Sequence, residues 1–210
     1  MAASALTHCK AIDVKIISWN LLQTGGASVE QVGLLIACHH PDVVLMQEAT
    51  AKIDGLAERI GGHYARVALP GRQYGLAAWT VQPLPRPAIS LPLQRGIIVR
   101  RLAQILRLPA FTLVNVHLSH GQLLNRFQLW QIANALPGRA AILGDCNLVG
   151  APYLRGFEDV GPRRATHRSA NIVPLRLDRC FTRGLRCSAS EVLKNSASDH
   201  RPIMVELAAP

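Results

Sequence analysis

Short apolar runs that each close on a polar side chain recur along this chain, and they restrict it to a fold with central β-strands covered on both faces. Val14–Trp19 ends at Asn20, and Asp42–Gln47 (DVVLMQ) ends at Glu48. His117 lies within or at the end of VNVHL, and Asp145 and Asn147 close AILGDCN. Asp178 interrupts the apolar spacing of LRLDRCF, and Asp199-His200 immediately precedes the last run. A rigid sheet holds the side chains at its strand ends in place, so this pattern offers a platform for chemistry.

The spacing between the runs predicts helices. Ser28-x-x-Gln31 forms a capping box ahead of a helix with Val29, Val32, Leu35 and Ile36 on one face, stopped by Pro41. Ala51–Ile60 reads as a short helix with Ile53, Leu56 and Ile60 inward, closed by Gly61-Gly62. Leu123–Leu136 reads as a third, its stripe made by Leu123, Phe127, Trp130 and Asn134. Further strands are expected over Gly75–Val81, Gly96–Ile105, Phe111–Leu118, Ala140–Leu143, Leu175–Phe181, Glu191–Leu193 and Pro202–Leu207. Residues 148–174 read as a long loop rich in Gly, Pro and Arg. Neither a repeat nor a linker interrupts the chain, so residues 1–210 are expected to form one domain, with 1–12 a flexible start. Mixed elements with several adjacent strands point to packed sheets flanked by helices.

Composition narrows the function. With 49% hydrophobic and 17% charged residues, a buried core is within reach and disorder is not expected. Lys+Arg outnumber Asp+Glu by 23 to 13, and the only lysines are Lys10, Lys15, Lys52 and Lys194. Arginine grips phosphate with a planar fork, so a polyanionic partner is expected: nucleic acid, or an anionic membrane surface. Five cysteines, none spaced Cys-x-x-Cys, fit free thiols in a reducing compartment. The start MAASALTHCKAID has no secretory pattern, and no apolar run nears the ~18 residues of a membrane span. A cytoplasmic monomer without stable membrane insertion is expected.

Singly, each polar residue has a structural reading. Glu48 would be a solvated strand end, Asn20 and the GDCN segment turn formers, His117 a satisfied sheet histidine, and Asp199-His200 a turn cap. Asp178 in an apolar context stands apart, because a buried carboxylate needs a partner. Jointly, and in this order, they suit hydrolysis of a phosphate ester. Water attack there needs charge neutralisation, an oriented nucleophile and a supported leaving oxygen.

On ISWN (17–20), VVLMQE (43–48), VNVHL (114–118), ILGDCN (142–147), RLDRCF (176–181) and SDHRPIMVEL (198–207), the chain resembles the endonuclease/exonuclease/phosphatase superfamily, which includes AP endonucleases, deoxyribonuclease I and neutral sphingomyelinases. GLAAWTVQPL (75–84) and Arg126-x-Gln128 are weaker matches. The resemblance implies an α/β (α+β) fold: a four-layer α/β/β/α sandwich of two packed mixed β-sheets flanked by helices. It also implies Mg²⁺- or Mn²⁺-dependent hydrolysis. A hard cation takes oxygen ligands and keeps several waters. Glu48, which the resemblance also indicates, is the first metal candidate, with Asn20 and Asp199 beside it. Asp145 would orient or deprotonate the water. Asn147, alternating with it on an extended segment, would hold a phosphate oxygen. His200 would polarise the phosphate or act as acid/base, Asp178 would fix its tautomer, and His117 would be a second donor.

The chain departs from AP endonucleases at Leu22, where they often carry an acid, and at His117, where they have a tyrosine. It therefore sits nearer the deoxyribonuclease or sphingomyelinase side, and it is short for the superfamily. Arg163, Arg164 and Arg168 cluster in one loop, and with Arg72 and Arg126 they are expected to hold a nucleic-acid backbone. A DNA-cleaving nuclease is the first reading. A phospholipid or inositol-phosphate phosphoesterase ranks second, because aromatic content is 5% and no amphipathic membrane helix is evident. A nucleic-acid-binding module on a degenerate scaffold is the non-enzyme alternative.

Overall fold

The computed structural model describes residues 13–96, 99–169, 173–194 and 197–210; of Arg168 and Ser169 it describes the backbone. The expected flexible start over 1–12 lies outside the described residues. In chain order the strands are β1 (Val14–Asn20), β2 (Val43–Thr50), β3 (His63–Ala68), β4 (Tyr74–Thr80), β5 (Ile89–Pro92), β6 (Leu102–Arg107), β7 (Thr112–His117), β8 (Ala140–Asp145), β9 (Glu158–Asp159), β10 (His167–Ser169), β11 (Val173–Leu175), β12 (Asp178–Arg183), β13 (Arg186–Val192) and β14 (Ile203–Ala208). The helices are α1 (Val29–His39), α2 (Leu56–Ile60) and α3 (Gln122–Ala135).

One sheet runs β13-β14-β1-β2-β4-β3 and the other β5-β6-β7-β8-β12-β9, with β10 and β11 a separate ribbon. Each large sheet has one parallel pair, β1 with β2 and β7 with β8, and α1 and α3 make the two crossovers. Ile16, Val43 and Leu45 of the first sheet meet Leu113, Ala141 and Leu143 of the second. On the outer face of the first sheet, Ile17, Trp19, Val44 and Met46 pack against Val32 and Ile36 of α1 and Leu56 of α2. On the outer face of the second, Val114, Val116 and Ile142 pack against Leu129, Ile132 and Ala133 of α3. This is the four-layer α/β/β/α sandwich. Each large apolar side chain fully buried in these layers contributes about 1.5–3 kcal/mol relative to exposure.

A polar group crosses the inter-sheet layer. Gln47 Nε2 donates to Ser18 Oγ at 3.0 Å and to Asn115 Oδ1 at 2.7 Å. Asn115 Nδ2 donates to Gln104 Oε1 and to the carbonyls of Met46 and Ala77. Burying amides is costly unless they are bonded, and these bonds tie the two sheets together below the strand ends. Among the described residues Cys38, Cys146, Cys180 and Cys187 are free thiols.

The structure corrects several expectations. The α3 stripe of Leu123, Phe127 and Trp130 points outward, 86%, 48% and 56% exposed, while Asn125, Gln128, Leu129, Ile132 and Ala133 are buried. Buried Asn125 and Gln128 bond to loop backbone, which turns an otherwise polar side inward. Ile60 is likewise exposed, because Ala51–Ile53 forms a separate 3-10 turn before α2 and changes the phase. β6 starts at Leu102 rather than Gly96, with residues 97–98 outside the described part. The segment 148–174 is not wholly loop, since it holds β9, β10 and the start of β11. β3 and β5 are edge strands with weak apolar alternation, half-buried to exposed, and no sequence pattern predicts them.

Strand direction then gathers the polar residues. Asn20 and Glu48 lie at or near the C-terminal ends of parallel β1 and β2, and His117 and Asp145 are register partners ending parallel β7 and β8. β12 runs antiparallel to β8, so its first residue, Asp178, pairs with Asp145. β14 runs antiparallel to β1 with Ile203 opposite Ser18, so the preceding Asp199-His200 arrives at the same end.

Candidate active site

Asp145 is the hub. Its Oδ2 accepts from Asn20 Nδ2 at 3.0 Å and Asn147 Nδ2 at 3.3 Å, and lies 3.3 Å from His117 Nε2 and 3.7 Å from His200 Nε2. Its Oδ1 accepts the Asn147 N–H at 3.0 Å. A carboxylate bonded from so many directions has one orientation open to it.

His200 Nδ1 lies 2.8 Å from Asp178 Oδ2. Burial alone would favour the neutral ring, but the Asp178 charge, followed by that of Asp145, outweighs it and raises the His200 pKa to about 10. His200 is therefore an imidazolium at neutral pH, its Nδ1–H given to Asp178 and its Nε2–H directed toward Asp145. Trp19 Nε1 donates to the His200 carbonyl, Ser198 Oγ accepts the His200 N–H, and Ser198 Oγ–H donates to the Asn20 carbonyl. Thr166 Oγ1 accepts the Asp178 N–H. His117 is the opposite case: burial, reinforced by the charge of Arg101, lowers its pKa to about 3 and keeps it neutral.

Glu48 occupies a β-bulge between Gln47 and Ala49 with φ of 54°. A bulge adds one residue to one strand and re-aims a side chain. Glu48 Oε2 accepts the Gln23 N–H at 2.9 Å, and Oε1 stands 3.9 Å from His117 Nε2. Asn147 also has positive φ, 49°, so the segment after Asp145 is not extended. The alternation expected for Asp145 and Asn147 fails there. The side chains converge because Asn147 folds back and gives its amide N–H groups to Leu118 O and Asp145.

Asn20, Glu48, His117, Asp145, Asn147, Asp199 and His200 all line one cleft of about 350 Å³, with Asp178 buried behind His200. Among the described residues, two carboxylate–histidine groupings are compact enough for a cation: His167, Asp199 and His200, and Asp145, Asp178 and His200. His200 belongs to both, and as an imidazolium it has no lone pair for a metal; the second grouping therefore suits a proton couple, and in the first only His167 and Asp199 could hold a cation. Glu48 belongs to neither grouping, yet a cation that keeps several waters needs no tight cage.

The arginines are dispersed. Arg126 bonds Gln122 and the Val149 carbonyl on the cleft rim. Arg163 and Arg164 line a different cleft beside Asp159 and Glu191, and Arg163 donates to the Asp159 carbonyl. Arg72 is exposed in the β3–β4 turn, and the Arg168 side chain lies outside the described part.

Sequence reasoning missed His167, whose ring centroid is 4.5 Å from that of His200, and His120 on the cleft wall. It also missed Arg101, 5% exposed just before β6, whose buried Nε and Nη1 have no hydrogen-bond partner among the described residues. No spacing marks these three. Ser198 could have been found, since it adjoins the Asp-His pair.

A model of the Endonuclease/Exonuclease/phosphatase family matches residues 17–200. The fold is similar to the endonuclease/exonuclease/phosphatase from Bacteroides vulgatus (17% identity, 95% of this chain and 100% of that one, TM-score 0.79). It is similar to a humanized D. rerio TDP2 with 14 mutations (16%, 93% and 98%, TM-score 0.78). D. rerio TDP2 complexed with single strand DNA product is another match (15%, 93% and 98%, TM-score 0.76). At these identities the likeness is one of fold. No curated protein matches the chain in sequence. Among the described residues no helix is long and apolar enough to cross a membrane.

Proposed function

From a chain that belongs to the Endonuclease/Exonuclease/phosphatase family, we propose a phosphoesterase that cleaves DNA phosphodiester bonds with Mg²⁺ or Mn²⁺. One observation carries this reading: Asp145 faces His117 at 3.3 Å and His200 at 3.7 Å in a cleft that Glu48 shares. The donors fit a hard cation. Glu48 is aimed into the cleft by its bulge, with Asn20 Oδ1 and Asp199 as further oxygen donors. Bound there, the ion would neutralise phosphate charge and make water more acidic.

Asp145 orients the attacking water and takes its proton. The water oxygen forms a bond to phosphorus as the bond to the leaving nucleoside oxygen breaks in line with it. Protonated His200 gives its Nε2–H to a phosphate oxygen, where negative charge builds. Asp178 holds the ring and supports its positive form. Asn147 keeps Asp145 in position, and neutral His117 offers its Nε2–H as a hydrogen bond to the leaving oxygen, which takes its proton from solvent.

Glu48→Gln removes one charge with little change in shape. It should abolish cation-stimulated cleavage, and a chelator should do the same to the wild type. Plasmid, single-stranded DNA, RNA and phospholipid, each with Mg²⁺, Mn²⁺ or chelator, are the substrates to compare. Undiminished turnover by Glu48→Gln would remove the residue from the metal site, and DNA retention without turnover by the wild type would leave a binding module. Turnover of phospholipid alone would favour the second reading, a phospholipid phosphoesterase. The observation on its side is the exposed apolar stripe of α3 next to the cleft.

Arg163, Arg164, Arg168, Arg72 and Arg126 remain the proposed contacts to the DNA backbone. Arg163→Ala with Arg164→Ala should reduce the log–log salt slope of DNA binding by up to about 2, near one counterion per lost phosphate contact. An identical slope would take that loop out of the interface.

A further inference from the structure

α3 starts at the cleft and leaves it with aromatic rings exposed. Gln122, its first residue, lines the cleft. Leu123, Phe127 and Trp130 follow at spacings of four and three residues, which puts them on one outer face. At 1.5 Å per residue, Phe127 and Trp130 lie about 7.5 and 12 Å along the axis from Gln122. Their ring centroids are 5.6 Å apart with planes 37° from parallel. Val149, 54% exposed, lines the cleft and is tied to the start of α3, its carbonyl accepting from Arg126 and its N–H donating to Gln122 Oε1, and Tyr153 on the same loop is 91% exposed. Single exposed apolar residues are ordinary, whereas a cluster at the mouth of a site calls for a partner.

Charge selects the partner. From Leu118 to Phe157 the sequence contains one acidic residue, Asp145 itself, against Arg126, Arg139 and Arg155. The whole chain carries a formal charge of +10, so a second copy would be repelled and a polyanion drawn in. An exposed face that pairs basic groups with flat rings suits unpaired bases, which stack on aromatic faces while arginines hold the phosphates. The apolar stripe is also narrow: Arg126 and Gln131 flank it, unlike the broad apolar face of a membrane-surface helix.

We propose that the outer face of α3, with Phe127 and Trp130 at its centre, is a stacking platform that leads single-stranded nucleic acid into the cleft. The choice of nucleic acid rests on the nuclease reading above. The platform itself makes a prediction about binding that needs no catalysis.

Trp19 and Trp79 are buried, so Trp130 is the exposed tryptophan and reports on its own surface. An oligothymidylate added in the presence of chelator should quench its fluorescence. Phe127→Ser and Trp130→Ser should each weaken oligothymidylate binding about tenfold, the scale of one lost stack. Binding of blunt duplex should change less than twofold, and both variants should melt at the wild-type temperature, since neither side chain is in the core. Equal losses for duplex and single strand would overturn the platform. So would quenching by vesicles of anionic phospholipid with none by oligothymidylate, or a Trp130-dependent dimer in sedimentation. Oligothymidylate that binds through Trp130 but is never cleaved would uphold the platform and count against the nuclease reading.

Discussion

Replacing His200 with alanine should lower turnover at least ~100-fold, the usual scale for a group that transfers or lends a proton at the reacting atoms. His200 is the cation that lies 2.8 Å from Asp178 and 3.7 Å from Asp145, inside the cleft rather than on its rim. The same change leaves fully buried Asp178 without its counter-charge, which costs about 3–5 kcal/mol where one partner of a buried pair is removed. Melting of the variant must therefore be recorded beside its kcat, so that unfolding is not read as lost chemistry. His200→Asn separates the two. Its side-chain amide N–H stands where Nδ1–H stood, so it can still bond Asp178 and spare part of the stability, yet it carries no positive charge and no transferable proton. A folded His200→Asn within tenfold of wild-type kcat would remove His200 from the chemistry.

Gly144→Ala should destabilise the protein by about 2–4 kcal/mol, combining overpacking with backbone strain. Gly144 has φ of 142°, and a methyl group built on it would lie 2.1 Å from the carbonyl oxygen of Val116, its partner on β7. That oxygen belongs to the backbone at the centre of a sheet and cannot move aside as a flexible side chain would. The strands must separate next to the paired His117 and Asp145, so turnover should fall together with stability. Urea unfolding, followed by its midpoint and slope, measures the effect. A midpoint shift of less than 0.5 kcal/mol equivalent would show that β7 and β8 yield easily there.

Gly144 also shows why parts of the site were hard to read. In the sequence, Gly-Asp-Cys-Asn looks like a turn. In the fold, Gly144 is a strand residue whose missing side chain allows close approach of β7. The α3 phase failed for a related reason. Apolar residues occupy two sides of the helix, and the buried side includes Asn125 and Gln128, whose partners lie in loops around Ser119, Gln94 and Asn147. A periodicity rule counts amides as solvent-facing because it cannot see a bonding partner far along the chain. The edge strands β3 and β5 escaped because one side of an edge needs little apolar cover.

By itself the sequence determined the buried strands, the capped first helix and the identity of the polar residues that close each apolar run. Those follow from local rules, burial of both strand faces and satisfaction of a helix end, which act over a few residues. Tertiary structure alone decided that the polar ends meet, which face of α3 is wet, and that Arg101 and His167 join the site's surroundings. Strand order, strand direction and bulges set those outcomes, and they depend on contacts between segments separated by more than a hundred residues, such as Asn20 with Asp145 and Trp19 with His200.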